Sequence, residues 1–266
     1  METIKKPMSI TENYCGKLVK RIQMYPLYSM LGVVMETEQL TFKQRMIRSY
    51  IDNAQVFKEF YVNKSYLLYA SSCKRNAYYI LEAKPSNYYH LTGAKTNLTA
   101  DEFWNKCYSK TLNEEDIIEE WKIKPYLEKT KDQMTIDEKE RAKKIERNIK
   151  GTIRNKLFAL DKLSVLMNTS NLEIQENYQA KNFFCKLAIS EVNITIGYTG
   201  KLKLYPKSLL KSNKLKSAEK IDVELLLVKD RNDTLFTDIL FGDLKEIKNH
   251  LIIDLLDENL MVKLSD

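Results

Sequence analysis

Cysteine is scarce in this 266-residue chain, and the four present, Cys15, Cys73, Cys107 and Cys185, stand far apart with no neighbouring Cys or His at metal-ligand spacing. That argues against a zinc site or a disulfide framework and leaves free, buried thiols as the expectation. Glycine occurs only seven times, and nowhere as a glycine-rich phosphate loop. A nucleophile elbow, a zinc-type histidine motif and a paired metal-binding carboxylate signature are also missing, which disfavours the common nucleotide-dependent and metal-dependent enzyme classes. No apolar run approaches the roughly 18 residues that would span a bilayer, and the stretch from Met1 to Thr11 lacks the apolar core of a secretion signal. The expectation is a cytoplasmic chain that uses no membrane, metal or cofactor.

Charge and apolar content are ample by contrast. Hydrophobic residues make up 44% and charged residues 30%, so most of the chain is expected to be ordered around a substantial core. The 43 Lys and Arg outweigh 36 Asp and Glu to give +7. A polyanionic partner is consistent with that balance, because neutralising phosphates dominates nucleic-acid affinity. An AT-rich coding sequence, suggested by abundant Lys, Asn, Ile and Tyr, accounts for the same charge without any partner.

Periodicity sorts the chain into helices followed by strands. Tyr14 to Met24 and Thr41 to Val62 read as helices, the second opened by a Thr41/Gln44 capping box and carrying Met46, Ile47, Tyr50, Ile51, Ala54, Phe57 and Tyr61 on one face. Ser65 to Ala70 and Ala77 to Ala83 read as a hairpin, and Lys84 to Gly93 as an irregular segment. Thr99/Glu102 and Thr135/Glu138 are further capping boxes, the first opening a helix through Cys107. The second opens a charged helix to Arg154 that runs into Leu157 to Met167. Its Lys143, Lys144, Arg147, Lys150 and Arg154 read either as a solvated face or as a nucleic-acid contact. Phe183 to Ile189, Val192 to Tyr198, Lys201 to Tyr205, Ile221 to Lys229 and Leu235 to Leu240 read as strands of a mostly antiparallel sheet. The fold class is therefore α+β. Three regions are expected: helical 1–62, an α+β core 63–242 that includes the helical segment 113–168, and a tail 243–266.

Only two histidines are present, and one, His90, sits between sheet and helix in Tyr88-Tyr89-His90-Leu91-Thr92-Gly93. His250, in the tail, reads as structural. The first segment resembles a known family, the phage-associated nuclease domains of the barnase, EndoU, colicin and RelE-like fold, in particular their fourth subgroup. The resemblance runs from about Phe57 to Ile239, through Asn63 to Tyr66, Asn87 to Gly93, Ala100 to Phe103 and Tyr205-Pro-Lys-Ser-Leu-Leu210. It implies helices packed on an antiparallel sheet and RNA, tRNA among the candidates, cleaved without a metal.

Carried over residue by residue, the resemblance makes His90 a general acid or base and Thr92 a phosphate-facing donor, with Lys207 and Ser208 completing the catalytic set. Tyr205, Lys211, Lys84 and Tyr89 become nucleic-acid contacts. Each has a plainer reading: His90 bonding a turn, Thr92 capping, Pro206-Lys-Ser as a turn, and Tyr88 and Tyr89 divided between core and surface. Three functions stay open: a toxin-like ribonuclease, a catalytically inactive defence or anti-defence factor that binds nucleic acid or a host nucleoprotein, and a phage accessory protein. An inhibitor protein is a further candidate partner.

Overall fold

The computed structural model describes residues 40–74, 78–126, 129–180, 183–246 and 250–265, all within the compact unit Leu40–Asp266. The expected helix from Tyr14 to Met24, and Cys15, lie outside the described residues.

All three sequence-read capping boxes form. Thr41 caps α1 (Phe42–Phe57): its hydroxyl accepts from the Gln44 amide at 3.2 Å while Gln44 Oε1 accepts from the Thr41 amide at 2.9 Å. The helix buries Met46, Ile47, Tyr50, Ala54 and Phe57, then widens into a π turn over Lys58–Val62. The segment read as irregular is instead a short helix, α2 (Asn87–Thr92). Asn87 Oδ1 takes the Lys84 amide at 2.7 Å at its start, and Gly93, at φ +64°, stops it. Six residues are too few to display helical periodicity, so Tyr88 and Tyr89 ride a helix rather than a strand. Next come α3 (Ala100–Tyr108), α4 (Glu120–Ile123), α5 (Ile136–Leu160) and α6 (Leu163–Leu166). Among the described residues no helix is long and apolar enough to cross a membrane.

The strands are β1 (Lys64–Tyr69), β2 (Tyr78–Glu82), β3 (Glu173–Glu176), β4 (Gln179–Ala180), β5 (Phe183–Phe184), β6 (Leu187–Ser190), β7 (Ile194–Gly200), β8 (Lys203–Lys211), β9 (Ile221–Asp222), β10 (Leu225–Asp230) and β11 (Asp238–Phe241). Nine of them form one sheet in the order β11-β10-β1-β2-β8-β7-β6-β3-β9, with β4 and β5 paired separately. Within it only β2 and β8 run parallel, Ile80 opposite Lys203 and Leu81 opposite Leu204. The sheet curls, because just Val223 and Glu224 separate its last strand β9 from β10. Their amides donate to Leu172 O and Tyr69 O, both at 3.0 Å.

Three sequence expectations are corrected here. The strand read as Lys201 to Tyr205 starts at Lys203 and continues to Lys211, so Pro206-Lys-Ser is not a turn. Its register with β7 shifts between Gly197 and Tyr198, leaving Lys207 as the extra residue of a bulge, which relieves the ladder where Pro206 has no amide. The run Ile221 to Lys229 is two strands, and β3, with its Glu-Ile-Gln-Glu sequence, was too polar to be read as a strand.

Strand alternation divides the core. Tyr66, Leu68, Leu81, Ile196, Leu204, Leu209 and Val228 face inward onto α1, α2, α3, α5 and α6. Leu67, Tyr69, Leu225 and Leu227 face outward, under Phe236, Ile252, Leu256 and Leu260 of the C-terminal region that holds α7 (His250–Ile253) and α8 (Glu258–Ser265). Farther along the outer face, Tyr178, Cys185, Ala188 and Leu215 form a third cluster. Between these two clusters the outer face carries exposed Lys203 and half-buried Ile80 and Tyr205. Cys107 and Cys185 are buried free thiols and Cys73 is half-buried. Burial pushes the Cys107 thiol up to about 12, which makes it no nucleophile at neutral pH.

One lysine pins α5 to the sheet. Lys156 donates to Leu209 O of β8, and burial lowers its ammonium from 10.5 to about 8. With the folded value below the unfolded one, the folded state holds fewer protons between pH 8 and 10.5, so stability rises with pH across that window. After discounting for partial exposure the rise is about 1–2 kcal/mol. It should vanish in Lys156→Met, as read from urea unfolding at both ends of the window. An undiminished rise in the variant would refute the assignment.

Candidate functional site

Backbone register builds a polar row across the outer face, in which Ser65 and Glu82 are buried. Ser65 of β1 lies opposite Lys229 of β10 on one side and Glu82 of β2 on the other. The β2–β8 register then continues from Leu81 and Leu204 to Glu82 and Tyr205. Because Tyr66, Leu81, Leu204 and Val228 point inward, their neighbours Ser65, Glu82, Tyr205 and Lys229 point outward.

Glu82 is the centre of the row. Its side chain is only 4% exposed, and every donor around it is accounted for. Lys203 Nζ lies 2.6 Å from Oε1, Ser65 Oγ donates to Oε1 at 3.0 Å, and Arg231 Nη2 lies 3.0 Å from Oε2. Arg231 sits in the turn after β10, held by its amide to Asn63 O at 2.8 Å and by Nη1 to Ala83 O at 3.1 Å. Burial alone would raise the Glu82 carboxyl. The hydrogen bonds from Lys203 and Ser65 and the charges of Arg231 and Lys203 outweigh it and hold the group below its ordinary value. The carboxylate stays ionised at neutral pH.

Lys229 completes the row. Its ammonium donates to Asp233 O at 2.5 Å and Thr234 O at 2.9 Å and stands 5.2 Å from the Phe236 ring centre. Burial, then repulsion from Lys203 and Arg231, outweigh Glu82 and Asp233 and lower its proton affinity. At the other end of the row, Lys84 Nζ stands 5.4 Å from the ring centre of half-buried Tyr205.

The residues singled out in the sequence divide among these surfaces. Lys84 and Tyr205 join the Glu82 row. Ser208 pairs with Gly197, and a Cβ at Gly197 would stand 3.0 Å from Cys185 Sγ, so Ser208 faces outward beside the third cluster. Exposed Lys207 acts on the same Cys185 thiol by its charge, which locates it there too. Lys211 lies on the inner side, 4.7 Å from the Phe158 ring of α5.

Thr92 is 1% exposed; its hydroxyl donates to Tyr89 O at 2.8 Å and accepts the Ala94 amide at 3.1 Å, so it closes the end of α2 and is not available to a phosphate. Tyr89 packs edge-on against Phe103. His90 is exposed on α2, whose Tyr88 and Leu91 face the inner core, and its described ring neighbour is Tyr89 at 5.5 Å. Lys207 and Ser208 thus stand beside the third cluster and Lys211 on the inner side, while α2, which carries His90, packs against β8.

Glu82, Ser65, Lys203, Arg231 and Lys229 were not singled out from the sequence. A signal existed for two of them: in the expected hairpin, Ser65 and Glu82 are the polar residues on the arms' outward positions. For Arg231, a turn residue, there was none. The arrangement is a buried, ionised carboxylate held by a lysine, an arginine and a serine; a carboxylate is a chemical type that can accept a proton, and such cations are the type that pairs with phosphate oxygens.

Searches of curated proteins and of solved structures return no match. The sequence profile described as phage-Barnase-EndoU-ColicinE5/D-RelE like nuclease4 matches residues 51–248, which spans every residue of the row. A carboxylate among cations on a sheet face suits a nuclease, and just under three quarters of the chain conforms to that profile: the chain belongs to the phage-Barnase-EndoU-ColicinE5/D-RelE like nuclease4 family.

Proposed function

We propose that the protein is a metal-independent endoribonuclease whose general base is Glu82, acting from a mobile element as a toxin-like effector. The observation that carries this reading is the ionised Glu82 carboxylate held by Lys203, Ser65 and Arg231 on the outer face of the sheet. An arriving phosphate competes with Glu82 for the half-exposed Lys203 ammonium and, by drawing it away, uncovers Oε1. Glu82 then takes the ribose 2′-hydroxyl proton as that oxygen attacks phosphorus. Lys203 and Arg231 neutralise the phosphate oxygens, and the P–O5′ bond breaks. Lys229, whose proton affinity is lowered by burial, protonates the departing 5′ oxygen. The products are a 2′,3′-cyclic phosphate and a 5′-hydroxyl. Tyr205 and Lys84 offer a stacking surface one step along the sheet.

The test is incubation of total cellular RNA with the protein in excess chelator, with product ends mapped. Cleavage leaving cyclic phosphates is expected; cleavage that needs added metal would overturn the mechanism. In the same assay His90→Ala should stay within about threefold of the parent, since on this reading Glu82 and Lys229 move the protons and exposed His90 takes no part. A hundredfold loss would return the imidazole to the reaction.

A second reading has its own observation. With Glu82 only 4% exposed, a Lys203 that never leaves it would make the row a structural ion network, and the chain a module that grips nucleic acid or a host nucleoprotein without cutting. Tight RNA binding without products selects that reading.

A further inference from the structure

Helix α5 carries a line of cations that the Glu82 row does not use. Lys143, Arg147, Lys150 and Arg154 recur at three- and four-residue intervals along one flank, about 17 Å from first to last at 1.5 Å per residue. Lys143, Arg147 and Arg154 are exposed, and among the described residues none of the three, nor exposed Lys144, meets a carboxylate within ion-pair distance. Lys150 is the exception, paired with Glu146 at 2.6 Å. At one end, Arg141, Lys143, Lys144 and Arg147 line a surface notch of about 680 Å³ with Asp137 and Glu140. Farther along, Lys150 and Arg154 stand 5.8 and 5.4 Å from the Phe42 ring centre, and Lys211 of β8 stands over Phe158.

We infer that this ridge is a second nucleic-acid contact, taking the phosphodiester backbone of an RNA strand whose other part occupies the Glu82 row. The inference rests on the nucleic-acid-directed reading above. Four cations roughly 4.5–6 Å apart along a straight rod suit successive phosphates, and the two guanidinium groups add bidentate geometry. A membrane surface fits less well. The apolar side of α5, with Ile149, Ile153 and Leu157, is packed on the core, and its exposed apolar residues, Ile136, Ile145 and Phe158, stand nine or more residues apart rather than as a continuous face that could enter a bilayer.

The two contacts are separated in a way that fixes substrate length. Lys203, over Glu82, and Lys211, beside the ridge, lie at opposite ends of β8 and on opposite sides of the sheet, about 26 Å apart at 3.3 Å per residue. A dinucleotide cannot reach both, whereas a strand of some tens of nucleotides can.

The triple variant Lys143→Ala, Arg147→Ala, Arg154→Ala separates the two contacts. Affinity for a 30-nucleotide RNA (length about thirty, chosen to span both) should fall by roughly tenfold or more at moderate salt, and the slope of log affinity against log salt should shrink by about 2. Turnover of a dinucleotide should be unchanged. An unaltered slope overturns the ridge, as does an equal loss on both substrates, which would mean that the flank acts through the fold. Unchanged RNA binding together with lost binding to phosphatidylserine vesicles also overturns it, in favour of a membrane. If the parent cuts no dinucleotide at all, the ribonuclease reading fails alone, and the salt slopes still decide the ridge.

Discussion

Glu82→Gln is expected to lower RNA cleavage by about a thousandfold, the usual worth of a positioned general base, while leaving the fold intact. Glutamine keeps the shape and still accepts from Ser65, and the two cations it leaves without a counter-charge are partly exposed, Lys203 at 52% and Arg231 at 29% of the side chain. The pH profile gives a sharper reading than the rate. Since the Glu82 carboxyl is held below its ordinary value, the acid limb of the parent should fall below the usual glutamate range, and Lys203→Met should move it upward by removing the strongest hydrogen bond. Stability follows the same sign. The contribution of Glu82 is complete at neutral pH and is lost as pH drops through its depressed folded value, a loss the glutamine variant should not show. A variant that still cuts RNA within tenfold of the parent would remove Glu82 from the chemistry.

Phe57→Ala should produce the largest loss of stability, about 3–5 kcal/mol by urea unfolding. Phe57 is fully buried where α1 gives way to its π turn, with ring centres of Tyr61, Tyr88 and Trp104 at 5.3, 5.2 and 5.9 Å. It therefore ties α1 to α2 and α3, and truncation opens a cavity that rings from separate elements cannot jointly refill. A cost under about 1 kcal/mol would show that these helices repack independently.

What the sequence disclosed and what it withheld follow from range. Thr41/Gln44, Thr99/Glu102 and Thr135/Glu138 each form a box within four residues, so the helix starts were readable to the residue. The hairpin of β1 and β2 was readable for the same reason. Helix α2 was not, because a glycine ends it before a second turn can declare a period. The site was hardest, since its members meet through pairings such as Lys64 with Asp230 and Ile80 with Lys203 that no local pattern encodes. Family resemblance brought forward His90, a scarce and chemically versatile residue. Glu82, the base proposed above, is one of many acidic residues, and only the pairing of β1, β2, β8 and β10 sets it apart by bringing Ser65, Lys203 and Arg231 to it.

The curl of the sheet has a consequence for when the protein can act. Arg231 reaches Glu82 only once β10 has docked on β1, and Lys203 only once β8 has come in parallel beside β2. Such distant pairings form late, after their loop-closure entropy has been met. A half-folded copy, however rich in helix, thus holds an acidic group without the cations that would set a phosphate beside it, and whatever destructive capacity the finished molecule has is withheld until its architecture is complete.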